Sequence, residues 1–175
     1  SPGGSTPKVV VLEKMPRVGR KIMISGKGRC NFTNMSEWNE FSQHVHPKAD
    51  FLKPAFYALP PQKMMEMIEN HGCPCVVERG ERVFPESLKS VDVVDVLLKM
   101  SQEAGAEIVT GCEVSDIDRN ESGEFIVSTN LGDFITSRLI ITTGGLSYPT
   151  TGSTGDGYRW AREFGHKIEG CFPAL

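Results

Sequence analysis

Two neighbouring stretches of this chain carry residue types that could do chemistry. The first is the apolar run Val9-Val10-Val11-Leu12, which stops on Glu13-Lys14. A β-branched run ending on an acid has the form of the second strand of a nucleotide-binding fold. There the carboxylate accepts hydrogen bonds from both ribose hydroxyls. The second is Ser25-Gly-Lys-Gly-Arg-Cys-Asn31, which offers bare backbone, a guanidinium and short polar side chains. That mixture suits a phosphate or a polar ring. Arg17, Arg20, Lys21, Lys27 and Arg29 make the surrounding stretch basic within an acidic protein, and the interleaved glycines favour an anion contact over a merely solvated loop.

Two glycine-rich segments lie far down the chain. Thr142-Thr143-Gly144-Gly145 follows the apolar Leu139-Ile140-Ile141. Paired glycines at the carboxyl end of a strand let a ligand or another backbone come close. A tight turn is the alternative. Gly152-Ser-Thr-Gly-Asp-Gly157 precedes a helical pattern, and free N–H groups at a helix start attract anions. It lacks the Gly-Lys-Ser/Thr of a Walker loop, and Asp156 could simply be the helix N-cap.

No nucleophile–base pair stands out. His44 and His46 are two apart and would not share a helical face. His71 and His166 stand in no catalytic frame. The basic surroundings of Cys30 could lower its thiol pKa, although packing against a bound ring suits it better. His71-Gly-Cys73-Pro-Cys75 has half of a zinc spacing, but no second pair completes it.

The elements that must position these residues can be read from periodicity. Residues 1–7 are rich in proline, glycine, serine and threonine and should be loose. Residues 8–12 predict a buried strand, and 15–34 predict mostly loop. Residues 48–59 suggest a short helix. A clearer helix opens at Pro60-Pro61, carries Met64, Met65, Met67 and Ile68 on one face, and closes at Gly72. The methionines read as core filler before binding surface. Residues 74–84 predict a hairpin.

Residues 90–104 predict the best helix, with Ser90 as N-cap, Gly105 as C′ and Val91, Val94, Leu97, Leu98 and Ser101 sharing a face. Strands follow at 106–110, 112–118, 124–129 and 133–136, the last three as an antiparallel meander. Residues 138–143 predict another buried strand. The final helix should bury Tyr158, Ala161 and Phe164 and end at Gly165.

Composition bounds the rest. The chain has 175 residues, a net charge of −3 and 39% hydrophobic residues, which fits one domain and a subdomain. Nothing in that balance suggests a nucleic-acid surface. No apolar run approaches the ~20 residues that cross a bilayer, and no export signal is visible. Five scattered cysteines read as reduced thiols in a cytoplasmic protein.

Taken in order, Val-Leu-Glu-Lys, Ile-Ser-Gly-Lys-Gly-Arg-Cys-Asn-Phe-Thr-Asn, Glu-Arg-Gly-Glu-Arg-Val-Phe-Pro and Thr-Thr-Gly-Gly-Leu-Ser-Tyr-Pro-Thr-Thr-Gly-Ser-Thr-Gly-Asp-Gly-Tyr resemble one family closely. It is that of the bacterial FAD-dependent oxidoreductases of the aminoacetone-oxidase type, which also includes flavin-dependent reductases of bile-acid enones. The resemblance runs from about residue 8 to Leu175. It implies a mixed α/β fold: a partial Rossmann-like, glutathione-reductase-like FAD domain (1–34 and 106–175), an inserted helix and hairpin subdomain (35–105) and the antiparallel meander.

By resemblance, Glu13 holds the adenosine ribose with Lys14 beside it. Ser25, Gly26, Arg29, Cys30 and Asn31 line the flavin and pyrophosphate. Val114 presents backbone to the adenine, and Thr143 and Gly144 contact the nucleotide, with Thr142 where the family has alanine. The implied function is flavin-mediated hydride transfer on a small molecule, with NADH or NADPH as a candidate electron donor and no catalytic residue, metal, nucleic acid or membrane partner assigned.

Only twelve residues precede Glu13, where a dinucleotide fold places a strand and a G-x-G-x-x-G turn about 20 residues before that acid. The family chain also continues beyond Leu175. The expectation is therefore an internal fragment that binds FAD weakly or not at all. The alternatives are a non-catalytic folded module and a phosphate or nucleotide binder without flavin.

Overall fold

A computed structural model describes residues 7–172; the expectation for residues 1–6 lies outside them. In chain order the elements are β1 (Val10–Glu13), α1 (Arg20–Ile24), β2 (Thr33–Asn34), α2 (Trp38–Phe41), α3 (Lys53–Ala58), α4 (Pro61–Glu69), β3 (Cys75–Glu78), β4 (Arg82–Pro85), α5 (Ser90–Glu103), β5 (Glu107–Thr110), β6 (Val114–Arg119), β7 (Phe125–Thr129), β8 (Gly132–Thr136) and α6 (Asp156–Glu163). Short 3₁₀ turns cover Ser25–Gly28, Ser42–His44, Ala49–Leu52 and Pro149–Thr151. The mixed α/β class is as expected.

The chain forms two compact units. One runs to Val18 and resumes at Glu107; the other is Gly19–Ala106. Residues 19–34, expected with the nucleotide-binding part, pack in the second unit. Ile22, Cys30 and Phe32 close on a core of Ile68, Cys73, Val93 and Val96, and removing that apolar area from water sets where the segment packs.

In the first unit β1 and β5 pair in parallel, Val10 with Glu107 through Glu13 with Thr110. Parallel neighbours need a long crossover, and here the whole second unit is that crossover. The strand expected to be buried is only half so: Val9 is 51% and Val11 41% exposed. Among the described residues β1 has one strand neighbour. Arg138–Thr143 does not form the expected buried strand, and Ile140 is 84% exposed. β propensity alone makes no strand where no described neighbour supplies the ladder.

The meander is as expected, in the order β6-β7-β8 and antiparallel throughout. Its inner face meets α6 in a core of Ile117, Val127 and Trp160, joined by Leu12, Leu139 and Phe164. Trp160, outside the expected face of Tyr158, Ala161 and Phe164, is the residue of α6 that is buried. It stands four positions before Phe164, so both lie on one side of the helix.

In the second unit the hairpin β3–β4 gains β2 as a third strand, in the order β2-β4-β3. Parts of the expected 15–34 loop are α1 and a 3₁₀ turn. The N-cap of α5 is Lys89, in extended backbone, and not Ser90. Ser90 lies inside the helix, buried, and donates to the Met23 carbonyl at 2.9 Å. Ser87 makes the entry turn instead, accepting the Lys89 N–H. The buried residues of α5 are Ser90, Val93, Val94 and Val96, shifted from the expected stripe because the helix is covered on two sides. Val93 and Val96 face the core, while Val94 faces Gly19, where a Cβ would stand 2.8 Å from the valine methyls.

Candidate cofactor site

Ten residues were singled out by sequence, and they fall into two clusters, one in each unit. Glu13, Lys14, Val114, Thr143 and Gly144 lie in the first unit, with Lys14 and Thr143 at the start of α6. Ser25, Gly26, Arg29, Cys30 and Asn31 share one loop of the second unit.

In the first cluster, Glu13 ends β1 at the carboxyl edge of the parallel pair, where open α/β sheets bind ligands. Its carbonyl accepts the Cys112 N–H at 3.0 Å, and Oε1 accepts the Met15 N–H at 2.8 Å. Oε1 thus ties the carboxylate to its own turn, and the carboxylate has further lone pairs with which to accept hydroxyls.

Lys14 points to α6. Its ammonium donates to Asp156 Oδ2 at 2.8 Å and to Thr154 Oγ1 at 2.5 Å, and Thr154 donates to the same carboxylate oxygen at 2.7 Å. The Lys14 hydrogen bond, chiefly, holds the Asp156 carboxyl below its usual range, against a smaller opposing effect of burial. Gly155 is the N-cap, and Asp156 makes no cap hydrogen bond. The start of α6 is therefore not the open anion site that the glycine-rich segment suggested. Asp156 places a negative charge in its first turn, where the helix dipole favours one, and Lys14 balances it.

The Thr143–Gly145 segment lies against that same first turn. A Cβ on Gly157 would stand 2.9 Å from Thr143 Oγ1, and one on Gly145 would stand 3.1 Å from Tyr158 Oη. Gly144 has φ +76, a left-handed conformation that glycine adopts without steric cost. The glycines thus let the segment pack closely on α6, without the strand expected before it. Val114 opens β6 beside a register shift and packs its side chain on the core, leaving backbone as what it can present. A carboxylate at the carboxyl end of a parallel strand fits the ribose of a dinucleotide.

One buried polar atom in this unit, Trp160 Nε1, has no hydrogen-bond partner. Sequence reasoning passed over Trp160, and its spacing to Phe164 was the available signal. It also missed the Lys14–Asp156 pair, which joins residues 142 positions apart with no local pattern to announce it.

In the second cluster, Gly26, Lys27, Gly28 and Cys30 all have positive φ. The tight path is secured from inside: Arg29 N–H donates to the Gly26 carbonyl, Cys30 N–H to the Ser25 carbonyl, and Ser25 Oγ to the Ile22 carbonyl. The cations are less available than the sequence suggested. Arg29 holds Glu78 at 2.9 and 3.2 Å and stacks over Phe84, 4.3 Å from the ring centre. Arg17 and Lys21 also have interaction partners.

Cys30 is not an activated thiolate. Burial pushes its pKa up, outweighing the lowering from a Ser25 hydrogen bond. Burial also raises Cys73, and raises Cys75 to about 12. All five cysteines are free. Among the described residues no group of three or more His, Cys, Asp and Glu could hold a metal, and no helix is long and apolar enough to cross a membrane. His44 and His46 lie exposed.

Comparison with known proteins bears on the same chemistry. Residues 3–171 match the family described as HI0933-like protein Rossmann domain. The ribosomal RNA dihydrouridine synthase of Haemophilus influenzae is 30% identical over 90% of this chain and 39% of its own length. That of Escherichia coli is 28% identical over 92% and 39%. The 3-dehydro-bile acid delta(4,6)-reductase of Clostridium scindens is 28% identical over 96% and 40%. The chain thus spans about two fifths of the length of these curated relatives. Among solved structures, Thermovibrio ammonificans THI4 aligns over 91% of this chain and 54% of its own, at 10% identity and a TM-score of 0.49.

Proposed function

The chain belongs to the HI0933-like Rossmann-domain family of FAD-binding oxidoreductases, and on that premise we propose that it carries part of the FAD site of a flavin-dependent reductase. Its substrate class is a ring carbon–carbon double bond conjugated to a carbonyl. The observation that carries the cofactor assignment is Glu13 at the carboxyl edge of the β1–β5 pair. In this reading Glu13 accepts the ribose hydroxyls, the backbone of Val114 borders the adenine, and Gly144 lets the nucleotide come close. Lys14 acts through Asp156, holding the start of α6 against the strand end. For Ser25, Gly26, Arg29, Cys30 and Asn31, the resemblance by itself supports a flavin contact.

The relatives' names support the substrate class. A dihydrouridine synthase and a delta(4,6)-reductase of a 3-dehydro bile acid both add hydrogen to a ring double bond conjugated to a carbonyl. These names favour reduction over the amine oxidation of an aminoacetone-oxidase type. Bound FAD supplies hydride chemistry. Saturating one double bond consumes two electrons and two protons, for which NADH or NADPH is the proposed source. A small-molecule substrate and a cytoplasmic location belong to the same proposal.

Amide mapping by NMR tests the cofactor assignment even where affinity is low. FAD added to the ¹⁵N-labelled chain at millimolar concentration should shift the amides of Glu13, Val114, Thr143 and Gly144, and Glu13→Gln should weaken the effect several-fold. Silence at those four amides, or identical titrations of wild type and Glu13→Gln, refutes the assignment.

A further inference from the structure

The second unit holds a cavity of about 330 Å³ that no role above uses, and none of the ten cofactor candidates lines it. One wall is the segment that leaves α4, from His71 to Pro74, and the other is α5. The Glu86 N–H donates to the Pro74 carbonyl at 2.8 Å and ties that segment to the turn before α5. Buried Cys73 and Val96 supply apolar lining. The charges of the α5 wall are sorted along its length. Asp92, Asp95 and Lys99 stand at i, i+3 and i+7, on one stripe of the helix. The two carboxylates come first, and the ammonium follows a turn later. Ser87 Oγ donates to Asp92 Oδ2 at 2.5 Å, which orients that carboxylate. Asp95 has a partner of its own. Lys99 Nζ is 3.9 Å from Glu103, longer than a hydrogen bond.

We propose that this cavity binds a small zwitterion, an α-amino acid with a short aliphatic side chain. The ligand's ammonium meets Asp92, its carboxylate meets Lys99, and its side chain lies against Cys73 and Val96. Both signs on the ligand follow from both signs on one wall. A cation without a carboxylate would face Lys99 as a like charge, and an anion without an ammonium would face the two aspartates. The spacing agrees. The helical rise separates positions 92 and 99 by about 10 Å. Two hydrogen bonds of about 2.9 Å each leave roughly 4 Å between the ligand's charges, the scale of an amino-acid head group. The volume stands at the small end of the range for ligand sites, which combine apolar walls with a few placed polar groups. This site is independent of the reductase reading above and needs no cofactor.

Amide NMR of the ¹⁵N-labelled chain tests the site with three probes. They are L-valine, isobutylamine, which lacks the carboxylate, and isovalerate, which lacks the ammonium. Valine should shift the Gly72, Cys73 and Val96 amides saturably, and each analogue should bind roughly tenfold more weakly or worse. Asp92→Asn keeps the side chain's shape and an oxygen for the Ser87 hydroxyl. It should weaken valine and isobutylamine roughly tenfold and leave isovalerate as it was. Lys99→Gln, at an exposed position, should weaken valine and isovalerate and spare isobutylamine. If Asp92→Asn fails to fold, Lys99→Gln and the analogue series decide. Amides silent to valine overturn the inference. So does an analogue that binds as tightly as valine, or a valine affinity unchanged in every folded variant.

Discussion

Replacing Gly26 with alanine tests the reasoning about the 25–31 loop most directly. Gly26 sits at φ +55, ψ 32. Alanine can occupy that region at a cost of about 1–2 kcal/mol; Lys27, at φ 58 and ψ 40, already bears it. The contacts add more. A Cβ on Gly26 would stand 2.9 Å from the Asn31 backbone nitrogen and 3.3 Å from the Phe84 ring. Neither can yield easily: Asn31 N is backbone, and Phe84 is buried beneath the Arg29 guanidinium. Overpacking of that kind costs about 1–3 kcal/mol, for a total of about 2–5 kcal/mol.

Gly28→Ala is the control. It shares the backbone penalty at φ +85, but its Cβ would meet nothing nearer than the Met23 carbonyl at 4.0 Å. Urea unfolding, followed by the fluorescence of Trp38 in a Trp160→Phe background, reports on the second unit. With an m-value of about 1.5 kcal/mol/M, Gly26→Ala should lower the midpoint by about 1.3–3.3 M and Gly28→Ala by about 0.7–1.3 M. Equal midpoints for the two variants would refute the claim that close approach, beyond backbone handedness, requires glycine at 26.

Other expectations follow from the same contacts. The folded-state pKa of Asp156 is depressed, so its pairing with Lys14 contributes fully above the ordinary carboxyl pKa near 4 and is lost as pH falls through the folded value. Lys14→Met should cost about 1 kcal/mol at pH 7 and flatten that acid limb, measured by unfolding at pH 7 and pH 3. Iodoacetamide at pH 8 should modify exposed Cys171 first and spare Cys30, Cys73 and Cys75, whose thiols burial keeps protonated; peptide mass spectrometry reads the order, and early labelling of Cys30 would contradict its burial. Trp160→Ala should cost about 3–5 kcal/mol. Trp160→Phe should stay within ~1.5 kcal/mol because it removes a buried N–H that has no partner; a phenylalanine variant as unstable as the alanine one would mean that this N–H is bonded.

Local patterns made much of this protein legible. The hairpin of residues 75–85 and the meander of 114–136 were readable because turn glycines and alternating apolar residues are short-range signals. The α4 and α5 helices announced themselves through their period and the glycines that follow them. Glu13 after four apolar residues was enough to suggest a ribose acid, and the ordered segments were enough to place the chain in its family.

What tertiary structure decided is where partners lie far apart in sequence. Arg29 read as a free guanidinium, and Glu78 engages it. Asp156 read as a cap, and Lys14 claims it. The cations around Cys30 left activation of its thiol open beside the favoured packing role, but Cys30 is buried in a core with Ile68 and Val93, and desolvation outweighs the lowering by the Ser25 hydrogen bond. Leu139–Thr143 has the composition of a strand, yet a strand exists only as part of a ladder. Propensity, period and capping are properties of adjacent residues, so sequence alone determined the elements and the chemistry available. Desolvation, ion pairing and strand pairing depend on which distant residues meet, so only the folded chain decided which of that chemistry is spent on holding the fold and which is left for a ligand.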